Sequence, residues 1–236
     1  MSYGFEDSKY VLKNIVPRNL NGYRVLDVGC GFGFWGWGLR MHTGGEFYLA
    51  GIEINPNYIE KLSPLNIYDN ILHMDITKDL EKIPNDSFDL VIASHVIEHL
   101  EKNEGWKMLD ELRRICRKIL IVLCPEGDAI DYDEKTPMHE ISKYDYHRSA
   151  WHASDFKGHK GFKIRQLPYS HRAGRATALF EKVWNRIKRR KRGGSLIIQY
   201  KQIQKIEHAE SDLLDSRVHI AHERQYIYNT SDMSVN

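Results

Sequence analysis

Three glycines at alternate positions, Gly29, Gly31 and Gly33, follow an acid, Asp27, in the run VLDVGCGFGFWG. Glycine lets the backbone approach a ligand closely, and a helix that begins after such a loop offers free N–H groups. Two further acids stand in comparable places. Glu53 closes the apolar run EFYLAGIE, and Asp75 closes NILHMD. A different chemistry is spelled by His95-x-x-Glu98-His99, two imidazoles four residues apart with a carboxylate between them. That is the donor set of a zinc hydrolase.

Apolar periodicity shows which elements must hold these residues, alternating between helix-like and strand-like stretches. An opening helix over DSKYVLKNIV precedes a short buried strand at 23–28, and the glycine loop runs into a helix over FWGWGLRMH. Strand two is EFYLAGIEI, followed by Asn55-Pro56 as helix cap and first turn. NILHMD and SFDLVIAS are strands three and four, and the Val, Ile and Leu of the latter suit burial on both faces. EGWKMLDELRRICRK reads as an amphipathic helix with Trp106, Leu109, Leu112, Ile115 and Cys116 along one side. ILIVLCP, FKIRQLPYS and GSLIIQYKQI complete seven strands, with a short helix in SAWHASDFKGHKG. This order predicts an α/β domain with a mostly parallel sheet and helices on both faces. Each of the three acids then falls at the C-terminal end of its own strand, where open α/β sheets bind ligands.

Two cofactor readings compete for the loop. Gly31, Gly33 and Gly36 spell G-x-G-x-x-G, with Glu53 at the spacing of a ribose-binding acid, which suits a dinucleotide. The register is awkward, because Gly29-Cys30 intervene between the strand and the first glycine. The stretch Val25-Leu26-Asp27-Val28-Gly29-Cys30-Gly31-Phe32-Gly33 more closely resembles the first motif of class I S-adenosylmethionine-dependent methyltransferases. An acid ending a buried strand is costly without a partner, and a pyrophosphate would be repelled by it. FDLVIASHVIEHL and RKILIVLCPEG are similar to that family's fourth motif and to the strand and turn after it.

The resemblance implies a Rossmann-like, doubly wound, seven-stranded sheet and S-adenosylmethionine as cofactor. It places Asp27 near the cationic amino end of the donor, Glu53 on the ribose hydroxyls, Asp75 at the adenine amino group and Ile76 beside the ring. The full donor pocket it implies is Asp27, Gly29, Gly31, Gly33, Glu53, Ile54, Asp75, Ile76 and His95. Each acid also has a plainer reading. Asp27 and Asp75 can cap turns, and Glu53 can be an ordinary acid beside a helix start.

A zinc site of the hydrolase kind needs both histidines on one continuous helix. Here FDLVIAS runs as a strand to Ser94, so His95 is expected in a loop, with Glu98 and His99 beginning the next helix. No third ligand with motif context follows, and no metal is expected. In the methyltransferase reading His95 borders the donor and acceptor. Methyl transfer is an in-line displacement that needs chiefly alignment, with a base for some oxygen or nitrogen acceptors. His95 and His147 are the catalytic candidates, with His139, Tyr144, Tyr146 and Trp151 in the same acceptor-side segment. The pattern His-Arg-Ser-Ala-Trp, then Asp-Phe and Gly-Phe, resembles a segment of many small bacterial and archaeal methyltransferases.

Composition bounds the rest. The longest purely apolar run, Ile119 to Cys124, is too short to cross a bilayer, and MSYGFEDSKY has no signal-peptide pattern. Three scattered cysteines suit a reducing, cytoplasmic setting better than a disulfide framework. Residues 172–192 carry nine Lys and Arg against Glu181, a charge of +8 that leaves −6 for the rest of a chain of net +2. Leu179, Phe180, Val183, Trp184 and Ile187 recur at helical spacing there. A basic amphipathic helix over 178–192 could rest on an anionic membrane or pack its apolar stripe on the domain. The expected organisation is a methyltransferase domain over 1–205, interrupted by a basic insertion at 168–194, and a polar tail at 206–236. The expected acceptor is a small molecule, with an envelope or lipid-linked precursor suiting a membrane-peripheral enzyme. A nucleic-acid acceptor is disfavoured by the lack of aromatic-interleaved basic surface. A non-catalytic scaffold that merely binds the donor is the alternative of another class. Nothing in the sequence speaks to oligomeric state.

Overall fold

The structure, a computed structural model, describes residues 4–127, 144, 146–159, 161–168 and 194–201. The chain forms two units, Met1–Gln202 and Ile203–Asn236. The second lies outside the described residues, as do 169–193 of the expected basic insertion. The first unit is built on seven strands: β1 (Arg24–Val28), β2 (Tyr48–Glu53), β3 (Asn70–His73), β4 (Phe88–Ser94), β5 (Cys116–Glu126), β6 (Phe162–Pro168) and β7 (Gly194–Lys201). Their order across the sheet is β3-β2-β1-β4-β5-β7-β6, and β7 alone runs antiparallel to its neighbours. This is the Rossmann-like, mostly parallel architecture the sequence predicts.

The apolar strands are explained by burial on both faces. Along β4, Val91 and Ala93 join one core, and Leu90 and Ile92 join the other. The first core is completed by Met108, Leu109, Leu112 and Ile115 of helix α4 (Lys102–Ile115), numbered after α1 (Gly4–Asn14), α2 (Phe34–His42) and α3 (Pro56–Leu62). The second takes Val11 and Leu12 of α1, Trp35 and Leu39 of α2 and Leu62 of α3. Each such aliphatic side chain contributes about 1.5–3 kcal/mol when fully buried. No helix among the described residues is long and apolar enough to cross a membrane.

Two expectations shift. Glu98 and His99 do not begin α4; they sit in a separate 3-10 turn, Ile97–His99. The helix starts at Lys102, because Glu101 and Glu104 form a reciprocal capping box there. Cys116, expected on the helix, is the first residue of β5, so helix and strand join with no loop between them. The topology reverses between β1 and β4. Chain leaves these two strands in opposite directions across the sheet, opening a crevice at their C-terminal ends.

Candidate functional site

β1 delivers Asp27 and then the glycine loop into this crevice. Gly29, Gly31 and Gly33 all have left-handed φ, at 68°, 52° and 80°. A Cβ on Gly29 would meet Val96 Cγ2 at 2.5 Å, and one on Gly33 would meet Leu62 Cδ1 at 2.5 Å. At Gly31 a Cβ would meet nothing within 4 Å. Gly29 and Gly33 are therefore needed by the fold as well as by the turn, whereas Gly31 edges open space suited to a ligand. Gly36, the last glycine of the literal dinucleotide pattern, has a packing cause. A Cβ there would strike the Tyr68 ring at 2.6 Å.

Asp27 is 1% exposed. Its Oδ2 accepts a hydrogen bond from the Tyr68 hydroxyl at 2.5 Å, and that hydroxyl in turn accepts from the Gly36 N–H at 3.1 Å. Among the described residues no Lys or Arg pairs with it. Burial drives its pKa up to about 7, the Tyr68 hydrogen bond pulls it back, and the nearby Glu53 charge pushes it further up. Burial, helped by the Asp27 charge, likewise drives the Tyr68 hydroxyl upward, so it stays a donor.

Glu53, at the end of β2, is 6% exposed and folds over the loop. Its Oε2 accepts from Gly31 N–H at 2.8 Å, and Oε1 accepts from the N–H groups of Ile54 and Asn55 at 2.9 and 2.8 Å. Two carboxylates thus meet around one glycine loop, with no side-chain cation between them among the described residues. Asp75 stands differently. Its carboxylate is taken up by Thr77 and by Lys78 Nζ at 2.7 Å, and these bonds outweigh its partial burial and hold its pKa below the usual carboxylate range. The turn-capping role is satisfied in the structure. Ile54 and Ile76 are half-buried beside these acids.

His95 follows β4 with φ 57°, a conformation unusual for a residue with a side chain. Its N–H donates to Leu123 O, and its Nδ1 lies 3.1 Å from Glu98 Oε1. The loop that carries His147 is strapped onto this turn. Arg148 N–H and Ser149 N–H donate to Glu98 O, and Trp151 Nε1 donates to Ile97 O and Ser149 Oγ. Consequently His147 packs edge-on against His99, with ring centroids 4.9 Å apart. Trp151, weighed above as an acceptor contact, is fully buried and packs against Gly105 of α4. Its role is core packing. Tyr144 and Tyr146 are half-buried, and His139 lies outside the described residues.

Residues 25–118 match the model of a methyltransferase domain. Over this stretch, which is less than half of its length, the chain is similar to methyltransferases. It is 28% identical to a tRNA U34 carboxymethyltransferase of Shewanella halifaxensis over 61% of this chain and 44% of that one. It is 31% identical to ajmaline N-methyltransferase of Rauvolfia serpentina over 42% of this chain and 32% of that one. The chain spans about half the length, or less, of the curated relatives it matches. Among solved structures, a SAM-dependent methyltransferase from Archaeoglobus fulgidus superposes with a TM-score of 0.57 at 18% identity, covering 84% of this chain and 94% of that one.

Three features of the site are not visible in the sequence. Tyr68 lies in an unpatterned loop far from Asp27, and only the fold brings its hydroxyl there. Glu98 was grouped with His99 by spacing, but its contact is with His95. The approach of His147 to His99 rests on the strap from Ile97 and Glu98, which leaves no periodic signature.

Proposed function

We propose that this chain transfers a methyl group from S-adenosylmethionine to a small-molecule acceptor. The observation that carries the reading is the pair of buried acids, Asp27 and Glu53, around an open glycine loop at the sheet's switch point. A site with two carboxylates and, among the described residues, no compensating cation favours a positively charged ligand and repels a pyrophosphate. The donor brings a sulfonium and an ammonium. On this reading Asp27 faces the ammonium end, Gly31 gives the backbone room for the ligand, and Glu53 exchanges part of its backbone contacts for the ribose hydroxyls. Asp75 and Ile76 lie at the adenine end, with Ile54 beside the ribose. His95 stands on the acceptor side, oriented by Glu98, where it helps align the nucleophile with the methyl group. His147 remains a candidate on the same side. Transfer itself is a displacement along the line from nucleophile through carbon to sulfur, so positioning supplies most of the rate.

The charge distribution supports a small acceptor. With the basic segment set aside, the remaining chain carries −6, which disfavours a polyanion across the body of the domain. The amphipathic pattern of 178–192 supports an anionic membrane surface as the place of work and a lipid-linked or envelope precursor as acceptor. A tRNA acceptor is the second reading, favoured by the likeness to tRNA U34 carboxymethyltransferase.

The test is label transfer from methyl-labelled donor to a cell extract separated into small-molecule, lipid and RNA fractions. Ribonuclease-resistant label in the small-molecule or lipid fraction is expected. Label confined to RNA would move the acceptor to the second reading. Donor binding without label in any fraction would favour a scaffold.

A further inference from the structure

We propose that Glu98, His99 and His147 form a binding site for a divalent metal ion of the zinc class. The claim does not rest on the methyl-transfer reading: Glu98 touches His95 and His147 is an acceptor-side candidate, but none of the three residues belongs to the donor pocket.

One ligand atom from each residue lies within 4.8 Å of the others. Tetrahedral zinc with bonds of about 2.1 Å brings its ligands to roughly 3.4 Å apart, so the side chains close by on the order of 1 Å upon binding. The tautomer of His99 suits the role. Its Nδ1 lies 3.1 Å from the carbonyl oxygen of Tyr146, which can only accept, so Nδ1 carries the proton and Nε2 keeps its lone pair. A backbone carbonyl that orients a ligating imidazole in this way is the usual support of a metal site. Glu98 supplies the second, independent observation. It is 2% exposed; one oxygen is held by His95, and Oε2 is buried with no hydrogen-bond partner among the described residues. An isolated buried carboxylate oxygen is costly, and a cation resolves it. Two neutral imidazoles and one carboxylate bind a divalent ion with a net charge of +1 and leave a coordination position for water or a substrate oxygen.

The sequence spells a metal motif but leads to the expectation of no metal. Of the pair spelled by His-x-x-Glu-His only His99 is a ligand, because His95 leaves β4 in a left-handed conformation and lies outside the 3-10 turn that carries Glu98 and His99. The third donor comes from the strapped loop, where sequence spacing has no bearing.

The full chain, stripped of metal by a chelator, is titrated with Co²⁺ and then with competing Zn²⁺. The expected result is one equivalent of cobalt with visible absorption of a tetrahedral N/O site, no thiolate charge-transfer band, and displacement by one equivalent of zinc. His147→Ala, at a half-buried position, and Glu98→Gln should each weaken binding on the order of 100-fold. His147→Ala should keep the far-UV spectrum and the affinity for S-adenosylhomocysteine, and Asp27→Asn should keep the metal. Absence of stoichiometric binding, a thiolate band, or an affinity untouched by His147→Ala would overturn the proposal. Loss of S-adenosylhomocysteine binding by the wild type would count against the methyl-transfer reading alone.

Discussion

Asp27 and Asp89 stand on adjacent strands, each 1% exposed, and their surroundings differ in kind. Asp89 is met by Arg117 and Lys118, both at 2.9 Å, and by the N–H of Arg24. Asp27 has a tyrosine hydroxyl and a second carboxylate nearby. The first arrangement is complete without a ligand; the second, on the proposed reading, is where the donor's ammonium would sit. The sign of the linkage follows. A carboxyl whose folded pKa is raised from 3.8 to about 7 stabilises the fold fully below pH 3.8, and that contribution is lost as pH rises towards 7. The shift corresponds to about 4 kcal/mol at most. Asp27→Asn should therefore be more stable than wild type at pH 8 by a few kcal/mol and closely similar at pH 4, as urea midpoints at the two pH values would show. The wild type should bind S-adenosylhomocysteine more tightly as pH rises from about 5.5 to about 7, because the ammonium favours ionised Asp27. A calorimetric pH series that is flat or falling over that window would contradict the assignment. At the loop, Gly31→Ala should cost about 1–2 kcal/mol from its positive φ alone. Gly29→Ala should cost more, since it adds the contact with Val96. Urea unfolding of the two variants ranks them. The acids were legible as strand-end residues because strand length and turn position are local properties. Tyr68, and the approach of His147 to His99, were not, because the partners lie far along the chain.

At the scale of elements, periodicity located α2 with its observed bounds, Phe34–His42, since the glycine loop before it and the residues after it break the pattern sharply. It misplaced the start of α4 because a glutamate at the N-cap is an unusual cap, and it extended the helix through Cys116 because that residue continues the apolar stripe. The join between α4 and the strapped loop is a close one. A Cβ on Gly105 would lie 2.5 Å from Trp151 Cζ2. Gly105→Ala should destabilise the domain by about 1–3 kcal/mol through overpacking, despite the better helix propensity of alanine. Chemical denaturation measures this directly. A neutral or stabilising result would show that the loop is not seated on α4. Because the same loop carries His147, the variant should also weaken cobalt binding relative to its effect on donor binding.

For the whole molecule, alternation of strands and helices predicted the parallel sheet, and the resemblance supplied its seven-stranded type. The position of β7 between β5 and β6 is a matter of tertiary pairing, in which Leu196 and Ile198 join the core that also holds α4. Chain outside the described residues includes most of the basic segment, so its charge enters the account through sequence alone. The switch point between β1 and β4 ties these scales together, since it sets the buried acid Asp27, an open glycine loop and His95 at one end of the sheet. The measurement that tests this most directly is calorimetric titration of the full chain with S-adenosylhomocysteine beside NADH, repeated on Asp27→Asn and Glu53→Ala. Micromolar binding of S-adenosylhomocysteine alone, lost in both folded variants, is the predicted result. Binding of NADH, or S-adenosylhomocysteine affinity indifferent to both acids, would contradict the account.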